Sequence, residues 1–191
     1  DLYKKIFEYV DIPTTLYKDE NIVNENELYL IKNLINLIVK MNNKEYDTSF
    51  KYSFVSVARS YLSDFNDDDI FNIFLNNKFM DNEIFIKCNE IVKSIDSMSS
   101  QEILENIVDK FDVINKFISV GNIDNKTMII DYLYKTFGDL DSIGYGIEDV
   151  SDYLDNIISK DKQIKINMTD TSGNTVKIMT IHKSKGLEYH I

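Results

Sequence analysis

One Pro and six Gly in 191 residues leave this chain almost without the residues that interrupt regular structure. Proline fixes φ and removes a backbone donor, and glycine supplies the positive-φ positions that tight turns need. With so few of either, the short strands and frequent turns of an all-β fold are hard to build, and long helices are favoured. The apolar pattern agrees. Leu28, Ile31, Leu34, Ile35 and Ile38 recur at helical spacing, as do Phe54, Val57, Ala58, Tyr61 and Leu62.

The same reading covers most of the chain. A first helix spans Leu2–Val10 and is broken at Asp11-Ile12-Pro13, because the residue before a proline avoids the α region. Thr14 to Tyr17 reads as a short strand. Asn24 with Glu27 has the form of a capping box opening the next helix. Asn66 and the acids Asp67, Asp68 and Asp69 open another, with Ile70, Phe71, Phe74 and Leu75 as its expected buried face. Ile84, Cys88, Ile91, Val92 and Ile95 form a further stripe. Ser99 or Ser100 caps the stripe Ile103, Leu104, Ile107, Val108 and Phe111, which is open to extension as far as Ile118. Met128 to Phe137 follows, closed by Gly138 as a C-terminal glycine. Ile147, Val150, Leu154 and Ile158 form the last.

The pattern then changes period. Gln163 to Met168 alternates apolar and polar residues, which is a strand signal. A turn-rich loop over 170–174 leads into Val176–Ile181, a strand apolar on both faces except at Lys177 and Thr180. Such a strand belongs in a sheet covered on both sides, and the chain supplies too few other strands to make one. The expected fold is mainly α: a multi-helix subdomain of about seven helices over 24–162, with a small β appendage at the termini, 1–23 and 163–191.

Composition bounds the function. The net charge is −11, but 159–191 carries six lysines against Asp161, Asp170 and Glu188. That segment is therefore +3 and residues 1–158 are −14. An acidic surface of this size argues against a general nucleic-acid binder. The lone Cys88 allows no intrachain disulfide and no cysteine metal cluster, and its spacing places it in the core. The sequence holds no membrane-length apolar run, signal peptide or lipidation signal, so a cytoplasmic location is expected. The abundance of Ile, Asn, Lys, Asp and Tyr, without Trp, reads as the codon usage of an AT-rich genome.

The chemistry concentrates in the last sixteen residues, VKIMTIHKSKGLEYHI. Ligands of α/β sheets bind beyond the carboxyl ends of strands, which is where Thr180 and His182 fall. Gly186 permits a close backbone approach to a ligand, and Glu188 can accept two hydrogen bonds from sugar hydroxyls. No nucleophile is paired with a base, and His182 has no evident partner for a metal.

This segment resembles motif V of the UvrD/Rep family of superfamily 1 DNA helicases, through Thr180, His182, Lys185, Gly186, Leu187 and Glu188 after an apolar strand. The resemblance implies that Thr180 and His182 face single-stranded DNA and that Glu188 reaches toward the ribose of ATP. It implies that Gly186 lies on the nucleotide side, and that Lys185 and Leu187 help shape the loop between the two ligands. The family often has Pro after the aromatic residue, where His190 follows Tyr189 here. More weakly, 10–38 is similar to the family segment leading into the inserted 2B subdomain, and 66–84 to the opening of that subdomain. Where family members carry an Arg and a Gly-Ile-Gly turn that touches duplex DNA, this chain has Asn77-Lys78-Phe79-Met80.

No G-x-x-x-x-G-K-[ST] phosphate loop occurs in the sequence, nor do the family's Walker B carboxylates or its motif IV and VI arginines. The chain is thus expected neither to hydrolyse ATP nor to unwind DNA by itself. It reads as part of a longer 3′–5′ translocase that uses ATP and Mg²⁺. The helical part would gate the duplex junction, and motif V would couple ATP to the single strand. Two alternatives stand beside it: a helicase–nuclease of the AddA type, and an acidic helical module that binds a protein partner.

Overall fold

The computed structural model describes residues 2–16, 18–120, 123–160, 164–168, 175–179 and 181–184. The protein is mainly helical. In chain order the elements are α1 (Leu2–Tyr9), β1 (Thr14–Leu16), β2 (Lys18–Asn21), α2 (Asn26–Asn42), α3 (Thr48–Ala58), α4 (Asp67–Leu75) and α5 (Glu83–Val92). Then follow α6 (Ser100–Lys110), α7 (Val113–Ser119), α8 (Ile123–Ser142), α9 (Ile147–Ser159), β3 (Lys165–Met168), β4 (Val176–Ile178) and α10 (Ile181–Ser184). Contacts divide the chain into two units, Asp1–Ile22 with Gln163–Ile191, and Val23–Lys162.

The helical unit is built around α2, which packs against α3, α5, α8 and α9. Leu28, Ile31, Leu34, Ile35 and Ile38 are fully buried, and so are Leu30 and Leu37 on other faces of the same helix. A helix apolar nearly all round belongs at the centre of its bundle. Burying each such side chain contributes about 1.5–3 kcal/mol. Capping follows the sequence where the signal is local. The Asn66 side chain accepts from Asp69 N–H, and Asp69 answers the Asn66 N–H. Ser99 and Glu102 make the same reciprocal pair at α6.

Asn24 does not cap α2. Ile22–Asn24 forms a 3₁₀ turn, the N-cap is Glu25 with no side-chain cap bond, and Glu27 is buried with other partners. Phe71 and Leu75 are not buried: they are 63% and 68% exposed, and α4 buries only Ile70 fully. The expected run from Ser100 toward Ile118 breaks at Asp112, which takes left-handed backbone (φ 51) and separates α6 from α7. Among the described residues the helical unit therefore has eight α-helices.

Scarce glycine also shapes the helix ends. Asp11 (φ 55), Lys44 (φ 58) and Asn77 (φ 53) sit left-handed just beyond α1, α2 and α4. The next N–H in each case reaches back to a helix carbonyl: Ile12 to Phe7 at 2.9 Å, Glu45 to Lys40 at 2.8 Å, Lys78 to Ile73 at 2.9 Å. This is the Schellman closure without its usual glycine, at about 1–2 kcal/mol of steric cost per position.

Among the described residues only α8 ends on a left-handed glycine, and it is Gly144 (φ 90), not Gly138. Gly138 lies inside α8 because the Gln101 side chain crosses it, donating from Nε2 to Tyr134 C=O at 2.9 Å. A Cβ at 138 would stand 2.4 Å from that nitrogen. Gly138→Ala should therefore gain nothing in the native background. On a Gln101→Ala background it should stabilise by about 1 kcal/mol, read by urea denaturation.

The other unit holds two two-stranded ladders. β1 and β4 are parallel, with Thr14, Thr15 and Leu16 opposite Val176, Lys177 and Ile178. β2 and β3 are antiparallel, from Lys18 opposite Met168 to Asn21 opposite Lys165. The expected strand Val176–Ile181 is shorter than its pattern, since Ile181 begins α10 and is 82% exposed. Its partner strand, expected to lie outside the chain, is β1. Val176 is 44% exposed, so the strand is not covered on both faces.

Candidate functional site

The motif begins on β4, which enters its ladder by a bond from Val176 N–H to Pro13 C=O at 2.9 Å. Parallel pairing puts the carboxyl ends of β1 and β4 at one edge of the ladder. Past that edge the backbone of His182 lies in the single turn of α10, whose Ser184 hydroxyl donates to Ile181 C=O at 3.0 Å. Thr180, Lys185, Gly186, Leu187 and Glu188 lie outside the described residues. The described part of the site is thus a strand, a parallel neighbour and a helical turn, which is a frame for ligand contacts. It brings no two of the expected site side chains together.

Sequence reasoning missed a buried polar centre in the helical unit. Glu27 is 5% exposed, and one carboxylate oxygen receives both Lys126 Nζ at 2.9 Å and the Tyr61 hydroxyl at 3.0 Å. The Lys126 ammonium also lies 5.4 Å from the Tyr61 ring centroid and 5.9 Å from that of Phe117. Burial acts to raise the Glu27 pKa. The hydrogen bonds from Lys126, the backbone and Tyr61 outweigh it, so the carboxyl lies below its ordinary value. Burial, and then the Glu27 charge, push the Tyr61 phenol up. The signal was present in the sequence: Glu27 falls in register with Ile31, Leu34 and Ile38, and an acid on an apolar stripe needs a partner.

A second polar seam joins α2 to α3. Asn36 donates to Ser53 at 2.7 Å and Ser49 at 3.1 Å, and Asn33 donates to Ser56 at 2.7 Å. Ser49, Ser53 and Ser56 share a helical face, so matched polar rows fix the register of the two helices. These groups satisfy one another, which is the behaviour of a structural network. Cys88 is fully buried, and desolvation pushes its thiol up to about 12, so it is a core residue and no nucleophile. Among the described residues no group of three or more His, Cys, Asp or Glu could hold a metal ion. Nor is any described helix long and apolar enough to cross a membrane.

No family model matches the chain. It is similar over nearly its whole length to curated proteins described as AddA-type subunits of an ATP-dependent helicase/nuclease. The protein from Lactobacillus acidophilus is 23% identical over 202 residues, 95% of this chain and 16% of the relative. Those from Lactobacillus gasseri and Lactobacillus helveticus are each 23% identical over 206 residues, 97% of this chain and again 16% of the relative. The chain therefore spans about one sixth of the length of the curated relatives it matches. These similarities favour the helicase–nuclease alternative over a UvrD-type helicase without a nuclease.

Proposed function

We propose that this chain works as a segment of a longer ATP-dependent DNA helicase, of the AddA helicase–nuclease kind, within the wider group to which the UvrD/Rep family belongs. The observation that carries the reading is similarity to such proteins along 95–98% of the chain. The motif at 176–191 supports it. In this reading the helical unit is the inserted 2B-like subdomain, and the ladders belong to the motor domain on either side of it.

Thr180 and His182 contact single-stranded DNA, and Gly186 and Glu188 lie toward ATP. Lys185 and Leu187 shape the loop between them. The sequence has no phosphate loop, and the described residues offer no Mg²⁺ site. The triphosphate and its metal would therefore be held by other parts of the longer protein, in the cytoplasm. This chain's share is to sense the nucleotide and grip the strand.

The test uses the longer protein. His182→Ala should weaken single-strand binding about tenfold, the loss of one good contact at a base or phosphate, and should uncouple ATP turnover from unwinding. Unchanged binding and unwinding would remove His182 from the site. A nuclease domain following residue 191 in the reading frame is expected, and its absence would return the reading to a UvrD-type helicase.

A further inference from the structure

The helical unit carries a pocket of about 480 Å³, a volume suited to one large side chain and its flanking backbone. Its walls include Tyr46, Phe50, Lys51, Lys78, Phe79 and Met80. Phe50 and Phe79 are buried and meet edge to face, with ring centroids 6.1 Å apart, so the apolar part of the pocket is a fixed surface. Tyr46 and Met80 are exposed at 40% and 58%.

The segment is held from both sides. Asn77 closes α4 in left-handed backbone, with Lys78 N–H bonded to Ile73 C=O. The buried Asn82 amide donates to Phe79 C=O, and its side-chain oxygen caps α5 by accepting from Phe85 N–H at 2.9 Å. The pocket thus exists before anything binds.

Its charge runs against its surroundings. Residues 1–158 carry −14, yet Lys51 and Lys78 both line this pocket, and neither has a carboxylate partner among the described residues. The only partner of the Lys51 ammonium among the described residues is the Phe79 ring, 6.0 Å to its centroid. Asp81 also lines the pocket. Two cations and one acid in an acidic unit do not make a track for a polyanion, which needs a run of positive charge. They do suit one or two carboxylates placed beside an apolar anchor.

We propose that this pocket docks a short acidic–aromatic segment of a protein partner. An aromatic side chain lies against Phe50 and Phe79, and a neighbouring carboxylate meets Lys51 and Lys78. This is independent of the helicase reading, since it concerns only the helical unit.

The experiment titrates the ¹⁵N,¹³C-labelled 191-residue chain with the pentapeptide Ser-Asp-Phe-Glu-Gly to about 2 mM, following ring and methyl resonances of Phe50, Phe79 and Met80. Saturable shifts confined to the pocket are expected. Ser-Asn-Phe-Gln-Gly and Ser-Asp-Ala-Glu-Gly should each bind at least fivefold more weakly. Lys51→Glu with Lys78→Glu should abolish the shifts, whereas Lys51→Arg with Lys78→Arg should keep them. Both lysines are exposed, so these pairs should leave the circular dichroism unchanged. Should the glutamate pair unfold, the pair Lys51→Gln with Lys78→Gln carries the comparison. No saturable shift, equal binding of the neutral peptide, indifference to the lysine changes, or displacement of the peptide by a dT₁₀ oligonucleotide would overturn the proposal.

Discussion

Phe54→Ala should lower the unfolding free energy of the 191-residue chain by about 3–5 kcal/mol, the range for truncating a fully buried phenylalanine. Phe54 is 1% exposed. Its ring lies 5.4 Å from Phe79 and 6.4 Å from Phe74, and Phe79 is in turn 4.8 Å from Phe74. These rings join α3, α4 and the 3₁₀ turn at Phe79–Asp81, so the loss combines a cavity with edge contacts worth about 0.5–1.5 kcal/mol each. A total of this size is a large part of the stability of a typical domain. Urea denaturation followed by circular dichroism measures it. A change under about 1 kcal/mol would mean that the three elements repack without the ring.

The second large effect is expected at the buried ion pair. Lys126→Ala leaves the Glu27 carboxylate desolvated with only Tyr61 as a side-chain donor, and breaking such a pair costs about 3–5 kcal/mol at neutral pH. In the native chain the Glu27 pKa is depressed. Its contribution is therefore fully present above the unfolded carboxyl value near 4.5 and is lost as pH falls through the lower folded value. Removing Lys126 reverses the sense. The isolated carboxyl now resists ionisation, so the penalty is greatest near pH 7 and shrinks on acidification toward about pH 4. Glu27→Gln on the Lys126→Ala background should recover more than half of the loss at neutral pH. A penalty independent of pH would show that lost packing of the lysine stem, not the charge, is responsible.

Glu27 also illustrates what the sequence could and could not tell. The stripe on α2 was legible because burial every three to four residues is a property of one helix. The caps at Asn66 and Ser99 were legible because a capping box closes within four residues. Glu27 has the local form of such a box, but its partners Tyr61 and Lys126 lie far along the chain and pull it inward. Gly138 has the local form of a helix end, yet the side chain that requires a small residue there is the distant Gln101. Phe71 and Leu75 carry the helical pattern of a buried face without burial, since periodicity records amphipathic potential and not its use. Of the motif residues from Thr180 to Glu188 singled out for ligand contact, the structure describes only the backbone at His182, and their chemistry is read from the sequence pattern alone.

The pairing of β2 with β3 has a consequence for how the chain folds. Ile22 N–H bonds to Ile164 C=O at 3.0 Å, and Ile164 N–H bonds to the Asn21 side chain across 143 positions of sequence. Closing a loop of that length in a flexible chain costs on the order of 4 kcal/mol in entropy, more than four strand residues return early in folding. A collapsed helical unit shortens the effective loop before the strands meet. The outer ladder is therefore a late event, conditional on everything between its strands. During synthesis it must also wait until the ribosome has delivered residues that far along, which makes the helical unit the part of this chain that folds first.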